Sequence, residues 1–109
     1  MSDPSKISNW QFLFRLFDHI IKELEIENWK LVIWDTSFCD NTLKMISIAS
    51  SSIEGEPWYY IKERLLHEIA HIGETRLGSA KTHHSEFFRR YGQLYIRFAD
   101  IEPSNFVKY

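Results

Sequence analysis

The chain has few of the features that stabilise a protein without a packed core. Its 109 residues include a single cysteine, Cys39, which excludes an intramolecular disulfide and therefore a disulfide scaffold. Glycine and proline are scarce, with four and three residues, and no repeat or low-complexity tract is present. No apolar run approaches the roughly 18 residues that span a bilayer, and the N-terminus lacks the layout of a signal peptide. We expect one domain over residues 1–109, in a reducing compartment such as the cytoplasm.

The chain also lacks an excess of positive charge. Thirteen Lys and Arg against fifteen Asp and Glu give a formal net charge of −2. Nucleic-acid-binding domains usually carry a basic surface that contacts the phosphates. We therefore expect no direct nucleic-acid binding, and the lack of a long apolar run predicts no membrane partner. Apolar residues make up 44% and aromatic residues 16%, which suits a folded globular domain.

Apolar periodicity predicts three helices and two strands. The helices are predicted over residues 7–26, 57–74 and 83–98, and the strands over residues 29–35 and 43–50. The polar segment 36–42 is typical of a turn, so we expect the two strands to be antiparallel neighbours. The predicted fold class is α+β, with three main helices and a small antiparallel or mixed sheet.

One short motif contains residue types that bind metal ions and catalyse hydrolysis. It is His67-Glu68-Ile69-Ala70-His71, inside the predicted second helix. Residues four apart on a helix lie on one face, with about 5–6 Å between their β-carbons, so both imidazoles can bind one zinc ion. Glu68 can accept the proton of the water that attacks a carbonyl carbon. The motif predicts a hydrolase with Zn²⁺ as cofactor, His67 and His71 as metal ligands and Glu68 as the catalytic base.

A catalytic zinc usually has a third protein ligand and one open position. His83 and His84 follow His71 by twelve and thirteen residues, at the start of the predicted third helix. The connecting segment contains glycine and could bring either histidine over the metal. Glu86 is the competing ligand, one turn further along. The residues themselves leave these three alternatives open.

Residues 29–98 resemble the SprT-like (Spartan-related) family of zincin metallopeptidases. In that family a helix with H-E-x-x-H is followed by H-x-x-E-F or H-x-x-E-W, and this chain has H-H-S-E-F at residues 83–87. The strand-turn-strand WKLVIWDTSFCDNTLKMISIAS is similar to the one before the family's active-site helix, including that of short phage-encoded members. The resemblance implies a minimal zincin-like fold, His83 as the third ligand and Glu68 as the general base. For a phage product the compartment would be the host cytoplasm.

The chain departs from this family in its cysteine content. SprT-like proteins often carry a C-terminal cysteine-rich zinc ribbon or a DNA-binding extension, whereas this chain has one cysteine and a short tail. It looks like a bare catalytic core, so the resemblance does not extend to a DNA-dependent activity. The chain length also resembles that of very small gluzincin-type peptidases, whose third ligand is a glutamate. If the chain is of that type, the third zinc ligand would be Glu86 and not His83.

The sequence thus predicts a zinc metallopeptidase that acts on a protein or peptide. One alternative is a zinc-stabilised binding or adaptor protein without turnover, in which a fourth protein ligand such as Glu86 or His84 closes the site. Another is a metal-dependent hydrolase of a non-peptide amide. In so small a domain a second copy or another partner could complete the cleft. An edge strand could hold an extended peptide by strand addition.

Two tyrosines of the predicted third helix lie on its apolar face. Tyr91 and Tyr95 follow the helical spacing of Phe87, Leu94 and Phe98. We expect both to pack in the core with their hydroxyl groups at its edge. A second role for one of them would be a hydrogen bond to the oxyanion of the tetrahedral intermediate.

Overall fold

The computed structural model describes residues 7–73 and 85–106, in which one α-helix precedes three strands and two further α-helices follow them. In chain order they are α1 (Asn9–Glu23), β1 (Lys30–Trp34), β2 (Phe38–Asp40), β3 (Met45–Ala49), α2 (Trp58–Ile69) and α3 (Ser85–Arg97). Short 3-10 helices follow β3 at Ser50–Ser52 and α3 at Pro103–Phe106. The predicted α+β class, with three main helices and a small mixed sheet, is confirmed.

The sheet has the strand order β1-β3-β2, so β3 is central. β1 runs parallel to β3, with Lys30 opposite Met45. β2 runs antiparallel to β3, with Phe38 opposite Ser47. The central position explains why β3 is the most buried strand, with four consecutive buried residues from 46 to 49.

The prediction that the two longer strands are antiparallel neighbours is wrong. β1 and β3 do pair, but in parallel. The segment 36–42, predicted as a turn, contains the short strand Phe38–Asp40 and therefore Cys39. This strand runs back along β3, so β3 can start at the same end of the sheet as β1.

α1 begins with a capping box and covers one side of the core. The Ser8 hydroxyl accepts the Gln11 backbone N–H at 3.1 Å, and the Gln11 side chain accepts the Ser8 N–H at 2.9 Å. The buried face of the helix consists of Phe12, Leu13, Leu16, Phe17 and Ile20. This face packs on α2, which in turn contacts β2 and β3. Within the described residues, no helix is both long and apolar enough to cross a membrane.

The segment after α3 is held to α2 by a buried lysine. Lys62 is 6% exposed, and its Nζ donates to the carbonyl oxygens of Ala99 and Ile101, both at 2.9 Å. Burial lowers the pKa of Lys62, while the charges of Asp100 and Glu102 act in the opposite direction. These bonds hold the segment that follows α3 against the helix that carries the H-E-x-x-H motif.

Candidate functional site

α2 carries the H-E-x-x-H motif at its C-terminal end. The helix begins after Pro57, whose φ of −68° suits a helix start. It ends at Ile69, five residues before the predicted end at residue 74. His67 therefore lies in the last helical turn, and His71 lies in the turn that follows the helix.

The chain stays helix-like through that turn. The Ala70 N–H bonds the Leu66 carbonyl oxygen at 2.9 Å, as in an α-helix, and the His71 N–H bonds that of Glu68 at 3.1 Å, as in a tighter 3-10 turn. Because the backbone continues to wind, the side chain of His71 remains on the same side as that of His67.

The two histidines of the motif are close neighbours in space. The ring centroids of His67 and His71 are 5.3 Å apart, with 69° between the ring planes. His71 is 9% exposed and His67 is half-buried. Zinc lies about 2.0–2.1 Å from a ligating nitrogen, so rings at this separation are close enough to share one ion. The residues present fit two of the three ligand positions of a catalytic zinc.

The carboxylate between them is buried. Glu68 is 5% exposed. Burial raises the pKa of Glu68, and the charges of His71 and Arg64 act in the opposite direction. A carboxylate with a raised pKa is a stronger base than an ordinary surface glutamate, which suits proton transfer from water.

Aromatic residues of α3 cover both imidazoles. Phe87 is 1% exposed and stacks on His71 with the ring centroids 4.3 Å apart and 20° between the planes. It also packs edge-on against His67, with the ring centroids 5.0 Å apart. Tyr91 contacts His67 from a second direction at 5.9 Å. These contacts restrict both histidine rings and keep water from one side of them.

A small recess opens beside His67. It has a volume of about 100 Å³ and is lined by Tyr60, Glu63, Arg64, His67 and Tyr91. Burial raises the pKa of Tyr91, and the charges of Glu63 and Tyr95 add to this effect. The Tyr91 hydroxyl is therefore a stable hydrogen-bond donor at neutral pH.

The prediction that both tyrosines pack in the core holds only for Tyr91. Tyr91 is half-buried, whereas Tyr95 is 46% exposed and donates a long hydrogen bond of 3.4 Å to the Glu63 carboxylate. The spacing of apolar residues predicts which face of a helix is apolar. It does not predict at which residue that face stops being covered by the rest of the protein.

Asn41 also supports the motif, and sequence reasoning missed it. Its side-chain Nδ2 donates to the His71 carbonyl oxygen at 3.0 Å, and its Oδ1 accepts the Gly73 N–H at 2.6 Å. Gly73 has a φ of +86°, a value that glycine tolerates best. An asparagine in a polar segment usually indicates only a turn, so no sequence signal pointed to this contact.

The third ligand remains a prediction. His83 and His84 lie outside the described residues. Glu86 lies in the first turn of α3, where its carboxylate accepts bonds from Arg89 Nε at 3.1 Å and Nη2 at 2.5 Å. Within residues 7–73 and 85–106, no three His, Cys, Asp or Glu side chains form a group that could hold a metal ion. Metal binding by Glu86 would compete with its pairing to Arg89.

Comparison of the chain with protein-family models, with curated proteins and with solved structures found no match. The similarity to SprT-like peptidases therefore stays a prediction from two short motifs. The arrangement of His67, Glu68 and His71 at the end of α2 is the structural feature that bears on function.

Proposed function

We propose that the protein is a zinc-dependent metallopeptidase of the SprT-like type. The proposed zinc ligands are His67, His71 and His83, and Glu68 is the proposed general base. The observation that carries the proposal is the pair of imidazoles 5.3 Å apart with a buried carboxylate beside them. A buried carboxylate of raised pKa next to two metal-type ligands suits hydrolysis by an activated water.

Each residue has a defined task in this proposal. Bound zinc would supply a Lewis acid that polarises the scissile carbonyl and makes water more acidic. Glu68 takes a proton from the attacking water and then delivers it to the leaving amine. Phe87 keeps bulk water from one side of the two imidazoles. The peptide bond is thereby exchanged for a carboxylate and an amine without a covalent enzyme intermediate.

The single cysteine supports a cytoplasmic location as part of this proposal, in the host cytoplasm if the chain is phage-encoded. A protein with one cysteine per chain has no intramolecular disulfide to preserve, so a reducing compartment does not weaken it. The proposed substrate is a protein or peptide of that compartment. A second copy or another partner could complete the cleft.

The decisive experiment compares metal content and cleavage in one variant. Glu68→Gln keeps the size of the side chain but removes its basicity. Purified wild type and Glu68→Gln are expected to contain similar amounts of zinc by elemental analysis. Only the wild type is expected to cleave a library of fluorogenic peptides, and a chelator should stop that cleavage.

Glu54→Gln provides the matched control. Glu54 is exposed and precedes α2, whereas the motif lies at the other end of that helix, roughly 15 Å away. This variant should cleave at the wild-type rate. Cleavage by Glu68→Gln at the wild-type rate would contradict the mechanism. Zinc retention without cleavage of any peptide by the wild type would favour the non-catalytic adaptor.

A further inference from the structure

One face of α3 is apolar and exposed. It is formed by Phe88, Tyr91, Gly92, Tyr95 and Ile96, here called the α3 strip, which line a shallow depression of about 420 Å³. The exposed fraction is 59% for Phe88, 46% for Tyr95 and 77% for Ile96. Along a helix with a rise of 1.5 Å per residue, the strip is about 12 Å long, which matches three or four residues of an extended peptide.

The α3 strip is continuous with the candidate site. Tyr91 lines both the strip and the recess beside His67, and its ring lies 5.9 Å from the His67 ring. The Tyr95 hydroxyl reaches the carboxylate of Glu63, which also lines that recess. A polypeptide lying along the strip would therefore reach the candidate metal site without crossing a gap.

The centre of the strip has room for a side chain. Gly92 lies between the larger residues, and a β-carbon at its position would have no heavy atom within 4 Å. The five strip residues carry no formal charge. An uncharged surface with an open centre between aromatic and aliphatic side chains favours a large apolar group as its ligand.

The extent of the strip argues against a second copy of the chain as the occupant. Stable interfaces between two proteins usually involve about 20–30 residues on each side. The five residues that line the depression would supply only a small part of such an interface. A short peptide segment needs much less surface, and the shared Tyr91 gives it a path to His67.

We propose that the α3 strip is the docking surface for the substrate and that it selects an extended peptide segment with large apolar side chains. This inference rests on the proposed peptidase function. The strip binds the aromatic or aliphatic side chains of the segment, and Tyr91 directs the neighbouring peptide bond toward His67 and Glu68.

The test measures binding separately from cleavage. The probe is a short fluorescein-labelled peptide that contains phenylalanine and leucine, and the protein is the full chain with Glu68→Gln, loaded with zinc. Ile96→Ser, added to that chain, should weaken peptide binding by about tenfold in fluorescence anisotropy, since one large apolar contact is lost. A peptide with serine at the apolar positions should bind weakly to both proteins.

Phe14→Ser is the matched control. Phe14 is also an exposed apolar residue on a helix surface, at 40%, but it lies on α1. Peptide affinity should remain unchanged in this variant. In chains that retain Glu68, Ile96→Ser should raise KM for the apolar peptide and leave kcat close to the wild-type value.

Two results would overturn the inference. One is equal peptide affinity in Ile96→Ser and Phe14→Ser. The other is a dimer in analytical ultracentrifugation that Ile96→Ser converts to a monomer without a change in peptide affinity, because the strip would then be a contact between copies. Failure of the proposed function gives a different pattern: the apolar peptide binds in an Ile96-dependent manner, but the zinc-loaded wild type does not cleave it.

Discussion

The side-chain amide of Asn41 bonds the backbone carbonyl of His71 at 3.0 Å and so connects the segment between β2 and β3 to the end of the H-E-x-x-H motif. The same side chain accepts the Gly73 N–H at 2.6 Å. His71 lies just beyond the last residue of α2, where helical hydrogen bonding no longer fixes the backbone fully. Asn41, which lies in the turn between β2 and β3, replaces part of that support with two side-chain hydrogen bonds.

Asn41→Ala removes both bonds and is expected to lower the free energy of unfolding by about 1–3 kcal/mol, because the partner groups lose their hydrogen bonds. Zinc affinity should fall as well, since the backbone at His71 is less well fixed. Urea unfolding and a zinc competition titration measure the two effects. Asn41→Asp, which keeps an acceptor for Gly73 but loses the donor to His71, should lie between the wild type and Asn41→Ala. Unchanged stability in Asn41→Ala would show that the bonds contribute nothing.

Removing either histidine of the motif should abolish tight zinc binding. His67→Ala and His71→Ala each delete one of the proposed ligands, so zinc affinity should fall by more than about a hundredfold, beyond the range typical of residues that only support a ligand. His19→Ala is the control, because His19 lies on α1 among the rings of Phe98 and Phe106. Equal zinc affinity in His67→Ala and His19→Ala would contradict the proposed site.

Three parallel substitutions identify the third ligand. If His83 binds zinc, as the resemblance to SprT-like peptidases implies, His83→Ala should lose zinc as severely as His67→Ala. His84→Ala and Glu86→Gln should then retain it. Zinc retention in His83→Ala with loss in Glu86→Gln would assign the ligand to Glu86 and would require its carboxylate to bind the metal beside or instead of Arg89. Isothermal titration with zinc compares the variants directly.

Lys62 provides a test of stability away from the candidate site. Lys62→Met keeps the length of the apolar stem but leaves the carbonyl oxygens of Ala99 and Ile101 without these bonds. We expect a loss of about 1–3 kcal/mol in the free energy of unfolding. Lys22→Met, on the exposed side of α1, is the control and should have little effect. Equal stability of the two variants would show that the lysine does not hold the C-terminal segment.

The pKa of Lys62 predicts how this stability changes with pH. Because burial lowers the pKa of Lys62 in the folded state below its ordinary value of 10.5, the unfolded chain binds more protons between the two values. The contribution of Lys62 to stability should therefore rise with pH in that window and stay constant below it. The difference in unfolding free energy between wild type and Lys62→Met, measured across the alkaline range, should show this rise. A fall in the same window would contradict the shift.

The features that the sequence predicted correctly are those set by residues close together in the chain. The apolar spacing of α1 and α2 is a local pattern, and it predicted both helices. The H-E-x-x-H pattern is also local, and it predicted that His67 and His71 lie on the same side. The two predicted helix ends at residues 26 and 74 were too late by three and five residues, since periodicity does not show where hydrogen bonding stops.

The errors concern contacts between distant segments. The three-residue strand β2 lies in a stretch whose Ser, Thr, Asp and Asn content is typical of a turn. Because β2 pairs with β3 and reverses the chain direction, β1 and β3 can be parallel. No residue pattern within β1 or β3 predicts that orientation. The contact of Asn41 with His71 spans 30 positions, and the stacking of Phe87 on the same histidine joins α3 to the turn after α2, so neither follows from a local pattern.

The position of His71 beyond the end of α2 couples the candidate site to the turn between β2 and β3. His67 is carried by the helix, while the backbone of His71 is bonded through Asn41 to the turn between β2 and β3. A metal ion bound by both rings would therefore link α2 to that turn, and resistance to denaturant would increase with metal occupancy. By the same linkage, a mutation that destabilises the turn between β2 and β3 should lower the metal affinity, even though it changes no coordinating atom.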